Sequence, residues 1–183
     1  MPGKGTNMRN SLIHDFTRSF LNNHVSPNDI IIDATLGNGH DTLYLNSLGA
    51  NVVAFDIQLE AINQAKNLLE GLKNIQIHHD SFVNMFSYNI PFKGVVFNLG
   101  YLPNGDKTIT TLEKDTLFTI KELSKLLKEG MFILITAYPG HEEGMKESNA
   151  LDHFIKSLPN DYLTYTLKIQ NRNNAPYVIV IEK

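Results

Sequence analysis

Cysteine is absent from this 183-residue sequence. That excludes disulfides, thiolate-bound zinc and a cysteine nucleophile. Long apolar runs are also missing, since none approaches the roughly 18 residues that a membrane-spanning helix needs. No basic-then-apolar leader ending in small residues is seen at the start, so a cytoplasmic location without membrane attachment is expected. Positive charge is not in excess either. The formal net charge is −3, whereas proteins that hold nucleic acid by non-specific contacts are usually basic. Any such surface here has to be a local patch. There is no linker, internal repeat or low-complexity tract. What is present is 42% hydrophobic and 19% charged residues, the balance of a packed core in a length suited to one domain. Met1 to Asn7 reads as a loose end or a remnant foreign to the natural chain, and residues 8–183 as a single domain.

Leu12, Ile13, Phe16, Phe20 and Leu21 recur at helical spacing, which predicts an amphipathic helix over 8–24. Ser26-Pro27-Asn28-Asp29 breaks it. Short apolar runs then predict strands at Ile30–Ile32, Asn51–Phe55, Ile75–His78, Gly94–Phe97 and Met131–Ala137. The first two are each followed by a stretch of helical period, and Gly71 ends the second of these helices. That alternation predicts an α/β, doubly wound, mostly parallel sheet with helices on both faces. The tail departs from it. Tyr162–Ile169 and Tyr177–Ile181 are both strand-like, and the link between them has no room for a helix. A connection so short makes the pair an antiparallel hairpin.

The segment Asp33-Ala-Thr-Leu-Gly37-Asn38-Gly39-His40-Asp41-Thr42 follows the first strand and opens a helix. Gly37 and Gly39 permit a sharp turn and close approach of a ligand to the backbone, and the helix start aims amide hydrogens at the same place. A plain strand-to-helix turn would look similar, so the second strand decides. It ends in Asp56, 17 residues after Gly39, where a carboxylate can accept from both hydroxyls of a ribose; capping the next helix is its other use. A nicotinamide dinucleotide would want a small residue at position 42, which is Thr42. Two glycines with acids at Asp33 and Asp56 suit a nucleoside cofactor that lacks a pyrophosphate. At the third strand's end, Asp80 could bind an adenine amino group while Phe82 packs on the ring. His78 and His79 are adjacent on a strand and point to opposite faces, so no metal site is expected.

These strand ends resemble the cofactor motifs of class I S-adenosylmethionine methyltransferases. A closer resemblance runs from about Leu12 to Glu182. It rests on the segment Asp33–Thr42, on Phe97-Asn-Leu-Gly-Tyr-Leu-Pro103 with Asp106-Lys107, and on Ala137-Tyr-Pro-Gly-His141. Together these are similar to a small bacterial family known as rRNA methylases, whose members are understood as tRNA wobble-uridine methyltransferases. The resemblance implies S-adenosyl-L-methionine as cofactor, tRNA as partner, and transfer to the 5-aminomethyl nitrogen of 2-thiouridine. It also implies that Asn38, His40, Asp56, Gln58, His79 and Asp80 line the cofactor site.

The missing cysteine agrees with that acceptor. Enzymes that methylate a pyrimidine carbon usually attack the ring with cysteine first, so a methyl moved by this chain goes to nitrogen or oxygen. Class I amine methyltransferases often end their fourth strand in Asn-Pro-Pro-Tyr or Asp-Pro-Pro-Tyr. Here it ends Asn98-Leu99-Gly100-Tyr101, with Leu-Gly in place of Pro-Pro. Asn98 could orient the amine and Tyr101 could pack on the base. Asp106 and His141, both in loops after strands, are the candidates for a base. Asn104-Gly105-Asp106 and Pro139-Gly140 are also ordinary turn sequences. Lys114, Lys121, Lys125 and Lys128 form a stripe that reads first as a solvated helix face, and Arg172 with Lys107 and Lys168 makes a second basic patch. A chain of this size covers little of a tRNA, so a homodimer is expected. An rRNA or small-molecule N-methyltransferase, and a module that binds the cofactor without chemistry, are the competing readings.

Overall fold

The computed structural model describes residues 4–100, 112–172 and 174–183, with side chains from Leu12 onward. Seven strands form one sheet: β1 (Ile30–Asp33), β2 (Asn51–Asp56), β3 (Ile75–His79), β4 (Gly94–Asn98), β5 (Phe132–Ala137), β6 (Leu163–Leu167) and β7 (Tyr177–Glu182). Their order is β3-β2-β1-β4-β5-β7-β6. The first five strands run parallel. β7 pairs antiparallel with both β5 and β6. The sequence anticipates a terminal hairpin. That its second strand inserts next to β5, leaving β6 at the edge, is decided in three dimensions.

Alternation along each strand divides the core. Ile31, Val52, Val96, Leu134 and Val180 point to one face, under α1 (Lys4–His24) and α2 (His40–Ser47). α3 (Leu59–Leu68) joins that side through Ile62 and Ala65, packed on Ala54. Ile32, Val53, Val95, Ile133 and Ile179 point to the other, under α4 (Glu113–Leu126) and α5 (Glu142–Lys156). A 3-10 helix at Phe82–Tyr88 buries Met85 in the same layer.

Some boundaries differ from the sequence reading. α1 starts at Lys4, four residues before the expected start at 8. Leu12, expected on its apolar face, is 49% exposed, while Ile13, Phe20 and Leu21 are buried. α4 ends at Leu126, so Lys128 lies beyond the helix whose stripe it was expected to continue. Gly94 opens β4 because the Phe132 ring lies across it; a Cβ there would stand 2.2 Å from that ring.

Candidate active site

The sheet's winding reverses between β1 and β4, and such switch points leave a crevice at the carboxyl ends of the strands. A cavity of about 600 Å³ fills it, bounded by the ends of β1 to β4 and the turn between β5 and α5.

The loop after β1 is braced from below. Asp33 is fully buried and accepts from Thr42 Oγ1 at 2.6 Å and from the Thr35 amide at 3.2 Å. Burial, then the charge of Asp41, pushes its carboxyl up to about 7, against the pull of those two hydrogen bonds. Gly37 and Gly39 both take left-handed conformations, at φ 50° and 85°. Only Gly37 lines the cavity. A Cβ on Gly39 would lie 3.0 Å from Ala65 Cβ, so this glycine serves the close packing of α2 against α3.

Asp56 closes the loop from the β2 side. Its Oδ2 accepts from the Gly37 amide at 2.9 Å and its Oδ1 from the Gln58 amide at 2.8 Å. Burial raises its pKa, opposed by these backbone hydrogen bonds. The remaining carboxylate lone pairs are acceptors for a hydroxyl-bearing ligand. Asn38 Oδ1 is shielded from solvent and has no hydrogen-bond partner among the described residues. A buried acceptor left unmatched is costly in isolation, and it fits a ligand that donates to this loop. The residues present therefore suit a nucleoside cofactor with a ribose diol and an amino group.

At the β3 end, Asp80 accepts from the Ser81 amide, Asn84 Nδ2 and Tyr88 Oη. The Asn84 and Tyr88 bonds hold its pKa below the usual value. Phe82 stands edge-on to Phe97, 5.6 Å between centroids, and lines the same cavity. His78 stacks on Phe55, and His79 Nε2 lies 3.1 Å from the Ile57 carbonyl. Among the described residues, no three His, Asp or Glu side chains are grouped to hold a metal ion.

Asn98 reaches the cavity from β4. Its backbone N–H donates to Thr35 Oγ1 at 2.7 Å, joining the fourth strand to the loop after the first, and its side-chain Nδ2 donates to Asp41 Oδ2 at 3.1 Å. Leu99 is buried and donates its amide to the Thr136 carbonyl. Gly100 follows at φ 119°, a conformation closed to proline, so Leu-Gly replaces Pro-Pro with a different chain path. Tyr101, Asp106 and Lys107 lie outside the described residues. His141 caps α5: its Nδ1 accepts from the Gly144 amide at 3.1 Å. That bond places the proton of the neutral ring on Nε2.

Of the other expected residues, Gly37, Asn38, His40, Asp56, Gln58, Asp80, Asn98 and His141 line the cavity together, whereas Asp33, Gly39 and His79 do not. Asp33 and Gly39 brace the loop, and His79 is exposed beside it. Thr35, Asp41 and Tyr138 also line it. They stand inside the quoted motifs, but their roles depend on contacts between distant strands. Lys168, expected in a basic patch, is instead paired with Asp152 and lies over the Tyr177 ring.

A sheet ordered 3-2-1-4-5-7-6 around such a loop defines the class I methyltransferase fold. Residues 52–183 match the family described as "Putative rRNA methylase", and the chain belongs to that family. A chloroplastic tRNA (mnm(5)s(2)U34)-methyltransferase of Arabidopsis thaliana is 33% identical, over 87% of this chain and 65% of that protein. The chain thus spans about two-thirds of the length of that relative. Among solved structures, a "putative rRNA-methylase" from Clostridium thermocellum is 31% identical with a TM-score of 0.87, covering 93% of this chain and 96% of the other. A "putative methyltransferase" from Streptococcus mutans, in complex with SAH, is 32% identical with a TM-score of 0.84, covering 93% and 97%.

Proposed function

We propose that this chain is an S-adenosylmethionine-dependent N-methyltransferase acting on tRNA, at the 5-aminomethyl nitrogen of wobble 2-thiouridine. The observation that carries this reading is the anchoring of Asn98 at the wall of the cofactor cavity, where its backbone N–H donates to Thr35 Oγ1 at 2.7 Å and its side-chain Nδ2 to Asp41 Oδ2 at 3.1 Å. The Arabidopsis relative, named for that reaction, supports the choice of substrate.

Asp56 and Gln58 would hold the ribose, Asp80 and Phe82 the adenine, and Gly37, Asn38 and His40 the amino-acid end. When bound, S-adenosylmethionine supplies an electrophilic methyl group. The protein's own part is orientation and exclusion of water. An ammonium has no lone pair, so the acceptor nitrogen has to lose a proton before it reacts. Asn98 Oδ1 then accepts a remaining N–H and turns the lone pair into the cavity. Tyr101 and Asp106 complete the acceptor side, and the chain works in the cytoplasm. Among the described residues, no helix is long and apolar enough to cross a membrane. Two copies together cover the anticodon arm, which light scattering on the purified protein would test.

Methyl transfer from labelled S-adenosylmethionine to bulk tRNA from a strain lacking this gene tests the reading. Nucleoside analysis should show 5-methylaminomethyl-2-thiouridine rising as its aminomethyl precursor falls. Cofactor binding without incorporation would sink the tRNA assignment and direct the search to ribosomal RNA and small amines.

A further inference from the structure

A second cavity, of about 240 Å³, lies between α1 and α2. His40, Asp41, Asn98 and Tyr138 belong to the linings of both cavities, so they form the partition between them. The cofactor reading accounts for the first cavity and leaves the second without an occupant. Its other polar walls are His14, Thr17 and Arg18 on α1, Tyr44 and Ser47 on α2, and Thr136 on β5, none of which takes part in a step above.

Three observations point to a ligand there. Thr17 Oγ1 is shielded from solvent and has no hydrogen-bond partner among the described residues. The Arg18 guanidinium lies over the Tyr44 ring, 4.9 Å from its centroid, while the Tyr44 hydroxyl donates to Asn22 Oδ1 at 2.9 Å. This gives a flat, cationic, braced surface at the rim. At the inner end, Asp41 Oδ2 accepts from Asn98 Nδ2 at 3.1 Å, which places a carboxylate beside the amide assigned to acceptor orientation.

We infer that this second cavity is the acceptor pocket, shaped for a single pyrimidine nucleotide turned out of its strand, with a primary-amine arm directed at Asp41. The inference rests on the proposed function and adds the substrate-side residues to it. A space of this size takes one base and its arm, not a run of stacked nucleotides, so the base has to leave its stack. The Thr17 hydroxyl meets the polar edge of the base. Arg18 meets the backbone phosphate, a pairing that suits a guanidinium. Asp41 attracts the arm as an ammonium, the form present at neutral pH, and so acts as a positioning residue. With Nδ2 of Asn98 committed to Asp41, the Oδ1 end of that amide is left to accept from the amine once its proton has gone to solvent.

The test measures methyl-transfer kinetics on tRNA carrying the aminomethyl precursor, together with S-adenosylhomocysteine affinity by calorimetry. Thr17→Phe fills the pocket and should lower kcat/KM by about 100-fold while leaving the cofactor Kd within about threefold. Thr17→Val keeps the shape, removes only the hydroxyl, and should raise KM by about tenfold; it serves if the larger side chain prevents folding. Arg18→Glu should raise KM and make it less dependent on salt. Asp41→Asn should raise KM at neutral pH and lose that effect above the pKa of the amine. Wild-type kcat and KM in the Thr17 and Arg18 variants would overturn the acceptor pocket and leave the proposed function standing. Wild-type protein that binds the cofactor yet transfers nothing to this tRNA would overturn both.

Discussion

The Gly37 amide donates to Asp56 Oδ2 at 2.9 Å, across 19 positions of sequence. The acid proposed to meet the ribose also holds the glycine turn closed, so cofactor contact and loop shape depend on one carboxylate. Asp56→Ala should therefore weaken S-adenosylhomocysteine binding by about 100-fold, the loss of charge-assisted hydrogen bonds on both sides. Calorimetry checks this. Affinity near that of the wild type would mean that the loop keeps its shape, and the ribose its hold, without the acid.

Asp33 gives a pH dependence with a definite sign. Its carboxyl is pushed from 3.8 up to about 7 by burial and by Asp41. The folded chain thus holds this proton where the unfolded chain has lost it. The associated stability is complete below about pH 4 and is lost as pH rises through 7. Asp33→Asn keeps an acceptor for Thr42 and carries no charge. Its melting temperature relative to wild type should be higher at pH 8 than at pH 5. Equal differences at the two pH values would show that Asp33 ionises normally.

Gly39→Ala should destabilise the fold by about 1–3 kcal/mol, because φ 85° is strained for alanine and the new Cβ meets Ala65. For a chain of this length, roughly 2–4 °C of melting temperature is expected per kcal/mol. Scanning calorimetry without ligand separates this packing role from cofactor binding. An unchanged melting temperature with lost affinity would return Gly39 to the ligand.

Asn98→Ala should lower the methyl-transfer rate by at least about 100-fold with cofactor affinity nearly unchanged, since its side chain acts on the acceptor. The same split is expected for Asp106→Ala. Rates that survive both substitutions would remove these residues from the reaction.

Loss of His141 should be felt through α5 and not through a proton. His141→Asn retains a side chain able to cap the helix, so it should methylate nearly as well as wild type, with the same pH profile between 6 and 8. A lost limb in that profile would restore the histidine as a base.

By itself the sequence determined the alternation of strands and helices, the antiparallel tail and the places where strands end in Asp33, Asp56, Asp80 and Asn98. Those features follow from short-range periodicity and turn chemistry, which each segment carries locally. Which of these residues face the cavity was decided only by tertiary packing. Gly37 and Gly39 look alike in sequence, yet Ala65 occupies the space over one and the cavity lies beside the other. His141 reads in sequence as a residue of a loop, and the fold adds that its Nδ1 accepts from the Gly144 amide as the cap of α5. Thr17 and Arg18 sit on a helix far from every motif, and only its packing over the sheet brings them next to Asn98. A turn or a strand end is a property of neighbouring residues, whereas a site is a set of distances between segments that the folded core alone holds in place.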